Sequence, residues 1–167
     1  MANESVTPGP LPEFDREMAT TRRVLERVPG EKGEWRPHPK SFPLGHLAQL
    51  VAGMPFWFVG MIESDHIDLG SFAGYTYEST ETLLAQFDAG VAAARQALAR
   101  VTDEQMAQPW ALKHGDHVLS SEPRGSVIRT QMLHMVHHRA QLGVYLRLLD
   151  VPVPCMYGPT ADESWSG

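Results

Sequence analysis

The amino-acid sequence predicts an all-α fold, a four-helix bundle formed by one domain of 167 residues. Four segments of bundle length carry apolar residues three and four positions apart, which is the spacing of one helix face. Hydrophobic residues make up 43% of the chain and charged residues 20%, a balance typical of globular proteins. Because this length suits a single core, we expect residues 1–167 to form one domain.

The first two helices are predicted from apolar stripes and their boundary residues. The first ends at Pro29, after a stripe that steps by three and four residues: Phe14, Met18, Thr21, Leu25 and Val28. The second begins after residues 41–43, where Pro43 suits a first helical turn, and runs to about Ser64. Its longest apolar run, 50–62, is shorter than the roughly 20 residues that span a membrane, so we expect a buried core helix.

The third and fourth helices follow the same spacing. The third covers about 79–101, with Thr80 and Glu81 as a suitable N-terminus and a stripe of Leu84, Phe87, Val91, Ala94, Leu98 and Val101. The fourth covers about 123–150. Its inward line is largely polar and consists of Gln131, His134, His138, Gln141 and Tyr145, followed by the apolar Leu148.

The connections are predicted to differ in character. Two of them, 65–79 and 102–122, are long, so neighbouring helices need not all be antiparallel. The second contains a short helical turn at 103–106 and then alternates around Gly115, which predicts a small hairpin over 110–119. The tail, 151–167, is rich in proline and is predicted to be irregular, with its acidic residues Asp162 and Glu163 exposed to solvent.

Charge and composition exclude several classes of function. The formal charge is −6 and the arginines are scattered, so we expect no nucleic-acid partner. No apolar segment of a secretory signal is visible near the N-terminus, and no membrane partner is expected. The single cysteine, Cys155, excludes an internal disulfide and a cysteine-rich zinc motif. These features predict a cytoplasmic protein.

Histidine placement indicates a metal site. His134 and His138 are four residues apart, which puts two imidazoles one turn apart on one helix face. His46 lies on the apolar stripe of the second helix, whereas His137 points about 100° away from His138. Three buried neutral imidazoles need partners for their nitrogens, and a metal ion provides them. Zinc, nickel, copper or iron would suit such ligands, and the alternative is a set of hydrogen-bonded core histidines.

These residues resemble the motifs of the DinB-like superfamily, small bacterial metal-binding four-helix bundles. That family carries one histidine near the start of its second helix and a His-x-x-x-His pair in its fourth, typically followed by Arg-Gly-Gln. Here His46 lies within 43–47, and the pair is followed by Arg139, Ala140 and Gln141. Alanine replaces the usual glycine, and both are small. The resemblance implies an open site for a divalent metal, zinc or nickel foremost, with His46, His134 and His138 as ligands.

Other residues of the fourth helix are candidates for contacts around the metal. Gln141 and Tyr145 lie one and two turns beyond His138, where either could hydrogen-bond a metal-bound water or a substrate. The alternative is that both are ordinary polar residues at the edge of a helix seam. Arg139 faces elsewhere and is predicted to pair with an acid on a neighbouring helix. The sequence identifies no catalytic residue.

The resemblance implies a thiol-dependent transferase that acts on small electrophiles. Bacillithiol, mycothiol or glutathione would serve as the low-molecular-weight thiol, and the partners would be this thiol and a small-molecule substrate. A homodimer is also implied, in agreement with apolar residues on more than one side of the second helix. The alternatives are a non-catalytic metal-binding or stress-response protein and a metal-dependent hydrolase, although no carboxylate base is identifiable near the ligands.

Overall fold

The computed structural model describes residues 11–71 and 74–164 and shows a mostly helical protein with a small three-stranded sheet. The helices are α1 (Leu11–Leu25), α2 (Leu44–Glu63), α3 (Thr80–Arg100), α4 (Asp103–Ala107) and α5 (Arg124–Leu148). The strands are β1 (His66–Asp68), β2 (Pro109–His114) and β3 (His117–Pro123). The four long helical segments predicted from the sequence correspond to α1, α2, α3 and α5.

Local signals explain where several helices begin. The Ser79 side chain caps α3 by accepting a hydrogen bond from the Thr82 N–H at 3.1 Å. The short helix α4 starts with a capping box between Thr102 and Gln105. Helix α2 follows Pro43, whose ring fixes a backbone angle suitable for entering a helix.

The sheet corrects the all-α prediction. The hairpin of β2 and β3 was predicted, and its turn uses Gly115 at a φ of +58°. Strand β1, however, comes from the connection 65–79 and pairs in parallel with β2. It has three residues, too few for an alternating pattern to stand out in the sequence. Its end is fastened by the Asp68 carboxylate, which accepts hydrogen bonds from the Gly70 and Gly115 N–H groups at 2.8 and 2.9 Å.

Helix α2 is the central helix of the core and packs against both α3 and α5. By length and composition alone it is apolar enough to cross a membrane, with a mean hydropathy of 1.3. However, 61% of that apolar stretch is buried inside the protein. Its hydrophobicity is therefore accounted for by the core, which agrees with the prediction of a buried helix.

A buried ion pair joins α5 to α1. Arg139 is 1% exposed and Glu17 is 4% exposed, and their charged atoms lie 2.8 Å apart. Arg139 also donates to the Thr21 hydroxyl at 3.1 Å, and the Tyr157 hydroxyl donates to the Glu17 carboxylate at 2.8 Å. The predicted pairing of Arg139 with an acid on another helix is confirmed. Because the two charges are paired and further hydrogen-bonded, the pair is tolerated in the core.

The described part of the C-terminal tail, 151–164, is held against α1 and α5 by charge. Glu163 pairs with Arg23 and Arg27, and Asp162 pairs with Arg147. Both carboxylates also accept backbone N–H groups of the tail itself. Asp162 is exposed, as expected, whereas Glu163 is only partly exposed. In addition to what the sequence predicted, both acids pair with arginines.

Replacing one member of the buried ion pair tests how much the pair contributes to the stability of the fold. Arg139→Met keeps similar volume but leaves the Glu17 carboxylate buried without its charge partner. We expect the free energy of unfolding to fall by about 3–5 kcal/mol, measured by urea denaturation.

The matched control is Arg95→Met, which removes an exposed ion pair with Asp15 on the same helix α1. We expect this variant to lose about 1 kcal/mol or less, because exposed pairs are screened by water. Equal losses in the two variants would contradict the role assigned to Arg139.

Candidate metal centre

The imidazoles of His134 and His138 meet on one face of α5. Their Nε2 atoms lie 2.9 Å apart and their ring centroids 4.7 Å apart. Both side chains are partly buried. The four-residue spacing thus brings together the two histidines that the sequence singled out.

The Nδ1 atom of each imidazole ring contacts the side chain of a glutamine. The Nδ1 atom of His138 lies 2.8 Å from the Gln141 side-chain oxygen, and the Nδ1 atom of His134 lies 3.4 Å from the Gln131 side-chain oxygen. A carbonyl oxygen accepts a hydrogen bond, so each contact favours a proton on Nδ1. That tautomer leaves a lone pair on Nε2 of both rings, and these are the two atoms that face each other.

This arrangement fits two ligands of one transition-metal ion. Two lone pairs 2.9 Å apart repel each other. The repulsion is removed if one ring carries its proton on Nε2 instead of Nδ1, or if a cation binds both Nε2 atoms. Two imidazole nitrogens bound to zinc at 2.0–2.1 Å with a tetrahedral angle lie about 3.3 Å apart. The observed separation of 2.9 Å is shorter and corresponds to an angle of about 90° between the two bonds, so a small opening of the pair would give the tetrahedral angle. Imidazole ligands suit zinc, nickel, copper and iron.

His46 is placed differently. It lies in the first turn of α2, stacked on Phe42 with ring centroids 4.3 Å apart and tilted against Tyr75 at the same distance. Within residues 11–71 and 74–164, no group of three His, Cys, Asp or Glu side chains is arranged to hold one ion. The structure therefore brings His134 and His138 together but does not bring His46 into a three-ligand cluster with them.

A cleft lies between α5 and the segment just before α2. Phe42, which stacks on His46, lines this cleft of about 400 Å³ together with His138 and Gln141. Tyr145 also lines it, and its hydroxyl donates to the Phe42 carbonyl at 3.2 Å. Tyr145 therefore ties α5 to the segment just before α2, and His46 lies one ring behind the wall of the cleft.

A larger cavity of about 620 Å³ lies beside His134, between α2, α5 and the sheet. Its wall includes Trp57, whose ring centroid is 5.9 Å from that of His134. This cavity was not predicted from the sequence, because its wall depends on β1 and the hairpin. Gln131 was not predicted as a partner of His134 either, although the spacing gave a signal: Gln131 precedes His134 by three residues, as Gln141 follows His138 by three.

Burial lowers the pKa of all three candidate ligands below the ordinary histidine value. For His134 the neighbouring His138 and His137 lower the pKa further. For His138 the hydrogen bond with Gln141 partly opposes the effect of burial. Neutral imidazoles with free lone pairs are the form that binds metal, so these shifts favour coordination at neutral pH.

The structure thus defines a small helical domain with a two-histidine candidate metal centre beside an apolar cavity. A sequence profile of the DinB superfamily matches residues 13–142. The chain belongs to the DinB superfamily. A search of curated proteins found no match.

Solved structures support the same fold. A DinB-like protein from Bacillus cereus superposes with a TM-score of 0.68 at 20% identity, covering 88% of this chain and 95% of that one. A DinB-like protein from Bacillus subtilis gives a TM-score of 0.67 at 16% identity, covering 86% and 94%. At these identities the likeness concerns the fold.

The lowered histidine pKa values predict how stability depends on pH in the metal-free protein. Between the folded pKa values and the ordinary value of 6.5, the unfolded chain binds more protons than the folded one. The free energy of unfolding should therefore decrease as pH is lowered from about 7.5 to 5.5. Replacing both His134 and His138 by glutamine should reduce this dependence of the free energy of unfolding on pH.

The carboxylates with lowered pKa values, such as Asp68 and Glu163, titrate below pH 4.5 and therefore do not contribute between pH 5.5 and 7.5. Chemical denaturation of chelator-treated protein measures the slope, and an unchanged slope in the double variant would contradict the assignment.

Proposed function

We propose that this protein binds one divalent transition metal, zinc or nickel, through His134, His138 and His46, and that it uses the metal in a thiol-dependent transfer to small electrophiles. The observation that carries the proposal is the 2.9 Å approach of two Nε2 atoms whose Nδ1 atoms are each held by a glutamine. A hydrogen-bonded core pair would need one such partner, whereas oriented metal ligands typically have two.

His46 completes the site by turning away from its ring partners. Its imidazole lies between Phe42 and Tyr75, and Phe42 lines the cleft that also contains His138. Rotation about the side-chain bonds of His46, with a shift of Phe42, would carry the ring toward the pair. The gain from coordination offsets the loss of two ring contacts, because a metal–imidazole bond is much stronger than aromatic stacking.

The residues around the pair have distinct roles in the proposed reaction. Gln131 and Gln141 hold the rings in the tautomer that presents Nε2, and Trp57 with the cavity wall excludes water on the His134 side. His134, His138 and His46 would hold the metal as neutral imidazoles, and the chemistry supplied there would be a lowered pKa of a bound thiol, which gives a nucleophile at neutral pH. The thiol, bacillithiol, mycothiol or glutathione, would enter from the open cleft, and the electrophile would occupy the cavity.

We also propose that the protein is cytoplasmic and forms a homodimer through α5. An exposed line on this helix contains Leu133, Val144 and Leu148, which are 64%, 58% and 55% exposed. Large apolar side chains repeated along one helix face favour contact with a second copy.

The second candidate function is metal binding without catalysis. It is favoured by the lack, among the described residues, of a third His, Cys, Asp or Glu converging on the pair. A two-histidine site would bind a metal weakly and leave it without the defined open position that catalysis needs. The two candidates differ in whether His46 is required for tight binding.

Metal content separates these alternatives. We expect untagged protein purified without chelator, or reloaded with zinc, to contain about one equivalent of metal by elemental mass spectrometry. His134→Ala and His46→Ala should lose it. The matched control is His137→Ala, an exposed histidine of the same helix, which should keep it. Retention in His46→Ala would refute the three-ligand site, and loss in none of the variants would refute the site altogether.

Thiol transfer is tested with the metal-loaded protein and 1-chloro-2,4-dinitrobenzene. The thiol sulfur forms a bond to the ring carbon, chloride leaves, and the thiol proton passes to solvent. We expect turnover with at least one of the three thiols to fall about 100-fold or more in His134→Ala and to be unchanged in His137→Ala. Metal binding without turnover for any thiol and several electrophiles would favour the non-catalytic candidate.

A further inference from the structure

We propose that the 620 Å³ cavity beside His134 binds a neutral, largely apolar molecule that carries a hydrogen-bond acceptor such as a carbonyl group. As the electrophile of the metal reaction, this ligand depends on the proposed function, but its binding can be measured without the metal. The volume lies within the range of pockets that hold small organic molecules.

The cavity wall is mainly apolar and comes from three parts of the fold. Trp57 belongs to α2, Ile67 and Leu112 to paired strands β1 and β2, and Val127 to α5. Two indole rings, those of Trp57 and Trp110, lie in the same wall. Such a surface is stabilised when a flat apolar or aromatic molecule displaces water from it.

Charge in the wall disfavours an anionic ligand. Among the described lining residues the charged groups are Asp68 and Glu122, with no lysine or arginine. The Gly115 and Gly70 N–H groups lower the pKa of Asp68, so its carboxylate stays ionised. In the metal-free protein a carboxylate ligand would meet these two negative charges with no lysine or arginine in the wall to balance it, whereas a neutral molecule would not.

Two buried donors in the wall lack partners. Trp110 and Gln131 are each 3% exposed, and the indole Nε1 and the amide Nε2 have no hydrogen-bond partner among the described residues. Buried donors without an acceptor are unfavourable, and they are rare in native proteins. Both residues line the cavity. Both nitrogens are closed to solvent in the empty cavity, so a small shift of either side chain would bring its N–H to a carbonyl oxygen of the ligand. Gln131 also contacts His134, so a ligand held by Gln131 would lie next to the candidate metal centre.

The test uses three matched naphthalene probes and the intrinsic fluorescence of the cavity tryptophans. The neutral ketone 2-acetylnaphthalene carries the acceptor, 2-isopropylnaphthalene lacks it, and 2-naphthoate carries a negative charge. We expect the ketone to bind about fivefold or more tightly than either of the others, because one hydrogen bond to a buried donor separates the first pair.

Variants locate the binding. Val127→Trp fills the cavity and should abolish ketone binding, whereas Arg129→Trp adds the same side chain at an exposed position of the same helix and should not. Trp110→Phe removes one donor and should weaken the ketone without weakening the hydrocarbon. Its control is Trp35→Phe, which alters an indole that packs on Tyr145 outside the cavity.

Equal affinity for all three probes, or ketone binding that survives Val127→Trp in folded protein, would overturn the proposal. The titrations are run on metal-free and zinc-loaded protein, so failure of the proposed metal-dependent function can be told apart from failure of the proposed cavity ligand. Ketone binding in a protein that takes up no metal would refute the proposed function and support the cavity ligand. Metal uptake without ketone preference would overturn only the cavity ligand.

Discussion

The buried pair of Arg139 and Glu17 determines how α5 sits in the fold. With both charges in the core, α5 can adopt only the rotation that keeps the guanidinium group against α1. His138 is the residue before Arg139 and lies about 100° around the helix. The same rotation therefore directs His138 and His134 away from α1, toward the cleft at the start of α2 and the cavity beside the sheet.

A single helix thus contributes to packing, to the proposed metal ligation and to the cavity wall. Its glutamines at 131 and 141 bracket the histidine pair in sequence and hold both rings in space. The sheet extends this arrangement, because β1 and β2 supply the wall opposite α5 and Asp68 fastens their connection to the hairpin turn. The part of the fold that departs from an all-α bundle is therefore the part that shapes the proposed substrate cavity.

Local patterns were sufficient to predict the long helices and the histidine pair, since both depend on spacing within one segment. The hairpin followed from alternation around Gly115. Strand β1, by contrast, is three residues long and is defined by its pairing with β2, a contact across more than 40 residues. The position of His46 depends on Tyr75, which lies in an irregular connection. The contacts of Glu163 depend on Arg23 of α1 and on Arg27 just beyond it, both more than 130 residues away in sequence. Such long-range contacts have no periodic signal.

The proposed function requires that the two Nε2 atoms of His134 and His138 bind one metal ion. A crystal structure of zinc-loaded protein, with anomalous scattering recorded on both sides of the zinc absorption edge, tests this most directly. We expect one strong anomalous peak within bonding distance of both Nε2 atoms, with His46 turned toward it. A loaded crystal with no peak at this pair, or with the two rings hydrogen-bonded to each other and zinc bound elsewhere, would contradict the account.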